Sequence, residues 1–223
     1  MTFWDHLDVL RKSIFRIVVV VLAAAIGLFA FKDFLFDGLI LAPSRGDFFL
    51  YRWIGADFSL SLVNIEVTAQ FMIHMKMAFL CAIVLTFPYV IFMVWRFIAP
   101  ALYENEKKKV GKAFLFASVL FYVGVAIGYV LIFPLMLNFF ADYQVSAAVP
   151  NMFSLSSYIS LLTSMVLTFG IVFEFPTLVA LLSALGILKR EWMKKYRRHA
   201  ICIVVILAAV ITPSGDPFSL AVV

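Results

Sequence analysis

Five stretches of the chain are apolar and nearly free of charge. Four are long: about Ile14 to Phe31, about Phe71 to Trp95, about Ala113 to Leu137 and about Leu155 to Leu185. A helix rising 1.5 Å per residue needs about 20 mostly apolar residues to cross about 30 Å of hydrocarbon, so each predicts a membrane-spanning helix. The fifth, about Ala200 to Thr212, is shorter and stops at Pro213. After Pro213, Ser214, Gly215, Asp216 and Pro217 an apolar run restarts at Phe218 and reaches Val223. The pattern predicts an all-α, polytopic transmembrane bundle with five complete helices and the start of a sixth. It reads as one integral-membrane domain over residues 1–223, cut off inside its last helix. Between the first two spans, Phe31 to Leu41 alternates charge and apolar residues at helical spacing. That predicts a short amphipathic helix lying in the membrane interface and ending before Pro43. Phe58 to Val67 alternates with a period nearer two, which predicts an extended segment.

Composition agrees: 65% of the 223 residues are hydrophobic and only 14% charged, far from the ~45–50% and ~25% of soluble domains. This excludes a soluble enzyme, a disordered chain and a disulfide-stapled secreted module. Cys81 and Cys202 lie inside apolar runs, where a free thiol packs as a small hydrophobe. The first apolar run has no small-residue cleavage site and reads as a retained helix. The net charge of +5 resolves into sidedness. Fourteen of the 18 basic residues fall in the N-terminal segment, the loop 96–112 and the loop 186–199, and three fall in 32–70. The positive-inside rule then predicts a cytoplasmic N-terminus, with 96–112 and 186–199 on the same side, and no nucleic-acid partner.

In a bilayer the charged residue is the informative one. Glu174 stands 15 positions before Lys189, about 22 Å from the basic loop along a helix. A carboxylate at such depth costs at least about 2.5–3.5 kcal/mol, so it needs a polar partner, a wet hollow or a proton. Pro176 frees a carbonyl one turn back and predicts a kink. The loop after Arg96 sets Glu104 and Glu106 beside Lys107, Lys108 and Lys109, with Phe97, Leu102 and Tyr103 as an apolar wall. It reads either as a solvated loop with local ion pairs or as a surface for a cationic, partly apolar peptide, since guanidinium groups pair with carboxylates as a fork. Asp5, His6 and Asp8 join it from the N-terminus. The three histidines lie at separate membrane boundaries and cannot share a metal, and His74 reads as an interfacial polar anchor. No nucleotide-binding, metalloprotease or serine-nucleophile motif is present, so neither cofactor nor metal is expected.

Four segments carry a family resemblance. His6-Leu-Asp-Val-Leu-Arg11 resembles the N-terminal HLxELR of the TatC family, with Val9 where that family has glutamate. Trp95-Arg-Phe-Ile-Ala-Pro-Ala-Leu-Tyr-Glu-Asn-Glu106 resembles its first cytoplasmic loop. Phe169-Gly-Ile-Val-Phe-Glu-Phe-Pro176 resembles its fourth-helix motif, and Thr212-Pro-Ser-Gly-Asp-Pro-Phe-Ser219 the turn before its last helix. The resemblance implies a six-helix receptor subunit of the twin-arginine protein translocase in a bacterial inner membrane, not an enzyme. It implies that Glu106 pairs with signal-peptide arginine, helped by Glu104 and Asp8. Phe97, Pro100 and Tyr103 would shape the pocket, with Leu7 on its other wall. Glu174, Pro176, Thr212 and Asp216 would form the intramembrane polar site where single-span subunits of the TatA and TatB type dock. Pro43, Phe71 and Lys76 match structural positions. Membrane lipid, a homo-oligomer within a larger complex and the proton motive force follow as expectations. Two other classes are weighed: a proton-coupled secondary transporter with Glu174 as proton carrier, and an intramembrane enzyme, which would need a pair of carboxylates or a Ser/His pair at one depth, whereas Glu174 is the only acid well inside a predicted span.

Overall fold

The computed structural model describes residues 3–54, 59–101, 104–146, 148, 151–184 and 188. Six α-helices follow in order: α1 (Phe3–Ala30), α2 (Phe49–Ile54), α3 (Ala69–Ile98), α4 (Glu104–Ile127), α5 (Phe133–Asp142) and α6 (Leu155–Ala184). Among the described residues, four stretches are long and apolar enough to span a bilayer: Leu7–Ala30, Ala69–Ile98, Val110–Asp142 and Leu155–Ser183. The fifth span and the start of a sixth lie outside the described residues.

Helix boundaries differ from the sequence reading where charge masked them. The first helix begins at Phe3, eleven positions before the apolar run, so Leu7 and Asp8 are helical. The third crossing is not confined to 113–137. It runs as α4, a π-turn at Gly128–Ile132 and α5, without a break from Glu104 to Asp142. The loop 96–112 is therefore mostly helix, a hairpin of α3 and α4 closed by one 3₁₀ turn at Ala99–Ala101. Lysines end an apolar run but are good helix formers, so the pattern stops before the helix does. The π-turn precedes Pro134, whose ring and missing N–H disturb the helical ladder one turn back.

The chain between the first two crossings also departs from expectation. Residues Phe34–Ile40 do form a helical turn that closes before Pro43, but of π pitch and packed inward. Its Leu35 and Ile40 are each 1% exposed, inside the main core with Met77, Phe133, Met136 and Ile159. Lys32, Asp33 and Asp37 face out. Pro43 is buried in the next 3₁₀ turn. The carbonyls that such a turn leaves unpaired are taken by three phenols. Tyr158 donates to Ile40 O at 2.7 Å, Tyr51 to Pro43 O at 2.9 Å, and Tyr129 to Leu39 O. Burial holds the Tyr51 phenol well above the ordinary tyrosine range. The extended reading of 58–67 survives as Leu62–Val63, which pairs in parallel with Phe153–Ser154.

Small residues set the helix spacing. A Cβ on Gly124 would stand 2.3 Å from Phe169 O, and one on Gly128 3.0 Å from Met165 O. The two glycines, one in the last turn of α4 and one opening the π-turn, let this backbone close on α6. Pro88 leaves the carbonyl of Val84 without its donor, and the hydroxyl of Tyr122 on α4 supplies one, at 3.0 Å to Val84 O and 3.2 Å to Leu85 O. The outward faces of α1 and α4 stay apolar: Ile14, Phe15, Ile26, Leu115 and Phe116 are all more than half exposed. That is the surface a helix presents to lipid.

Candidate functional site

Two ends can be told apart by charge. The basic end carries Arg11, Lys12, Arg16, Arg96 and Lys112, and the far end carries Asp33, Asp37, Glu66 and Asp142. The α3–α4 hairpin is held at the basic end by a small core of its own. Val110 is fully buried and Phe114 nearly so, against Ile91, Trp95, Ile98 and Leu181. The Trp95 and Phe114 rings lie 5.4 Å apart, and a Cβ on Gly111 would meet the Trp95 ring at 3.3 Å. This cluster fixes where α3 stops and α4 starts.

The residues of interest ride on that frame. Phe97, in the last turn of α3, is half-buried, and Pro100 is exposed in the connecting turn. Glu104 and Glu106 fall in the first turn of α4, where the unpaired N–H groups of a helix start favour carboxylates. Their side chains, and the whole of Leu102 and Tyr103, lie outside what is described. Helix α1 packs along α3. Phe29, near its end, meets Phe71 and His74, near the start of α3, so the two helices are antiparallel. Leu7 and Asp8 are thereby carried to the same end as Phe97. Both are exposed, and Asp8 lines a shallow hollow with Arg11, Lys12, Phe15 and Arg16. The basic end of the bundle thus carries Leu7, Asp8, Phe97, Pro100 and the start of α4.

Glu174 lies elsewhere, within α6, half-buried. Its Oε1 and the Oγ1 of Thr177, one turn on, are closed off from solvent without a hydrogen-bond partner in the described structure. Pro176, between them, is exposed. A buried carboxyl oxygen left unpaired is an acceptor waiting for a donor. Thr212 and Asp216 lie outside the described residues. Phe71 and Lys76 are exposed at the far end of α3. His74 is half-buried: its ring stacks on Phe29 at 4.0 Å and meets Phe36 edge-on at 5.4 Å, and its Nε2 is buried without a partner among the described residues. Among the described residues no three of His, Cys, Asp and Glu come together as metal ligands do.

Sequence reasoning missed the positioning residues. The spacing Gly124-x-x-x-Gly128 was a readable signal for close helix packing. The phenol clamps left no such trace, since Tyr158 and Ile40 are 118 positions apart.

Comparison with known proteins agrees along the whole length. The family model described as Sec-independent protein translocase protein (TatC) matches residues 5–223. The protein of that name from Blattabacterium sp. subsp. Periplaneta americana is 34% identical over all of this chain and 89% of its own. The Helicobacter pylori protein (strain 26695) is 32% identical over 93% of this chain and 76% of its own. A crystal structure of the twin-arginine translocase receptor TatC superposes with a TM-score of 0.77 at 25% identity, covering 97% of this chain and 91% of that one. With motifs, helix order and fold all in agreement, the chain belongs to the TatC family of Sec-independent protein translocase proteins, membrane components of the twin-arginine translocase and not enzymes.

Proposed function

We propose that this chain is the signal-peptide receptor and core scaffold of a twin-arginine translocase in a bacterial inner membrane, with its basic end cytoplasmic. The observation that carries the reading is the short α3–α4 hairpin. It carries Phe97 and the first turn of α4, with Glu104 and Glu106 in its sequence, at the same end of the bundle as Leu7 and Asp8, which supports the reading. Such a surface suits a peptide with two adjacent arginines followed by an apolar stretch. Glu106 takes a guanidinium as a two-point fork, Glu104 and Asp8 add charge, and Phe97, Pro100 and Tyr103 receive the apolar part. Asp8 stands one turn from Arg11 and Lys12 on the same helix, so its contribution is the smaller.

The apolar part of the signal peptide then moves along the bundle towards Glu174. There the unpaired carboxyl oxygen, together with Pro176, Thr212 and Asp216, recruits single-span subunits of the TatA and TatB type. Pro43, Phe71 and Lys76 keep the opposite face in shape. The chain works as one of several copies within a larger complex, surrounded by membrane lipid and driven by the proton motive force. Membership of a translocase family weighs against the transporter reading of Glu174.

The test is photo-crosslinking of a synthetic paired-arginine peptide to membranes holding the protein. Glu106→Ala is expected to lower the yield about tenfold, the worth of one charge-assisted hydrogen-bond pair, with Glu106→Gln between it and the parent. Undiminished crosslinking in Glu106→Ala membranes would sink the assignment.

A further inference from the structure

Among the described residues an almost wholly apolar hollow lies away from the peptide surface and from Glu174. It is a cleft of about 460 Å³ between α1, α3, α4, α6 and the π-turn Phe34–Ile40, lined by Leu28, Leu39, Leu80, Val84, Ala126 and Val130 among others. The two phenols in its wall are both engaged, Tyr122 with Val84 O and Leu85 O, Tyr129 with Leu39 O. Neither hydroxyl is left to receive a polar ligand.

Depth follows from helix rise. Tyr122 stands ten residues beyond Lys112 and Val130 eighteen, which places the cleft at about 15–27 Å from the basic membrane surface. On α3, Leu85 and Met77 stand eleven and nineteen residues before Arg96, giving about 16–28 Å. Both helices put the cleft in the half of the hydrocarbon farther from the basic end, reaching the edge of a layer about 30 Å thick. Apart from the two engaged hydroxyls and the Cys81 thiol the wall is apolar, which suits a hydrocarbon chain.

A second hollow adjoins it at the membrane edge and shares Val130. Its other lining residues are Phe49, Leu50, Arg52, Trp53 and Leu131. Trp53 is 84% exposed and Phe49 57%, an aromatic pair at the depth where such rings settle among headgroups. Arg45 is paired with Asp37 at 3.4 Å. Arg52 is exposed and, among the described residues, has no carboxylate partner. An exposed guanidinium on a hollow that shares Val130 with an apolar cleft matches a phosphate beside its acyl chain.

We propose that this chain holds one phospholipid of the leaflet far from the basic end, its acyl chain in the cleft between α3 and α4 and its phosphate on Arg52. Without a hydrophobic force between helices inside lipid, a cleft of this shape stays open unless something fills it. The bound chain would then add to the packing of α3 against α4, beside Tyr122, the stacked rings of Phe87 and Phe121 and the small core at Trp95.

Two measurements decide it. A benzophenone amino acid at Ala126, irradiated in intact membranes, is expected to give a protein adduct heavier by one phospholipid. An adduct to polypeptide, meaning a signal peptide, a partner helix or a second copy, or no adduct at all, would overturn the proposal. Purified protein washed extensively in detergent is expected to retain one phospholipid per chain by native mass spectrometry. Arg52→Glu lowers that occupancy about tenfold, as for loss of one charge-assisted hydrogen bond, while Arg52→Lys loses less. Equal retention in the parent and Arg52→Glu proteins would also overturn it.

Discussion

The glycines of α4 and α1 make a matched pair of perturbations. A methyl group on Gly124 would stand 2.3 Å from Phe169 O and 2.8 Å from Phe173 Cβ, and both obstacles belong to the α6 backbone or its immediate attachment. Neither can swing aside as a side-chain tip would, so α4 and α6 must separate by about 1 Å, at the cost of overpacking, about 1–3 kcal/mol. Separation also thins the contacts along the rest of that interface, including Gly128 and Gly170. A methyl group on Gly27 meets nothing within 4 Å, and alanine is the better helix former by up to about 1 kcal/mol. Gly27→Ala should therefore match or exceed the parent in stability while Gly124→Ala falls below it by about 2 kcal/mol. Thermal unfolding in detergent, followed by circular dichroism, gives the order of the three midpoints. Equal midpoints for Gly124→Ala and Gly27→Ala would refute the close approach of α4 to α6.

Tyr158→Phe keeps the ring against Phe133 but leaves Ile40 O buried without its donor. A loss of about 1–3 kcal/mol is expected in the same melting assay. Glu174→Gln should export a twin-arginine-tagged reporter better than Glu174→Ala, because the amide still offers the unpaired site a hydrogen-bonding group; equal failure of both would assign the role to ionisation. Glu174→Leu should melt higher than the parent while losing export, since it removes a polar atom buried without a partner. The raised phenol of Tyr51 gives a sign for alkaline pH. The unfolded chain releases this proton from about pH 10 while the native one holds it, so native stability is full below pH 10 and falls above it, by about 1.4 kcal/mol per pH unit. Tyr51→Phe removes that slope, measurable as a melting midpoint that declines less between pH 9 and pH 11.

How much of this was legible differs from element to element. Spans at 71–95 and 155–185 fall within two or three residues of α3 and α6, because twenty apolar residues have one economical place to go in a bilayer. The hairpin at 96–112 was misread as loop because lysine and glutamate mark the end of hydrocarbon, not the end of a helix. The segment 31–41 is legible as a helical turn, but what its apolar side packs against is not. Its Leu35 and Ile40 face a core supplied by residues a hundred positions away, which no local period encodes. Membership of the family was legible in four short motifs, and the comparisons bear it out.

By itself the sequence determined that this is an all-α membrane protein, where most of its helices run, how its basic residues divide among the loops, and the family it belongs to. These are properties of short windows: hydropathy, charge and motif spacing. Only the tertiary structure decided that three tyrosines tie the turn 34–43 to distant helices, that Gly124 and Gly128 bring α4 onto α6, and that an apolar cleft ends beneath Arg52. Such features depend on which backbone atoms are left unpaired or unfilled once the helices meet, and that is fixed by packing between parts of the chain that do not know of each other along the sequence.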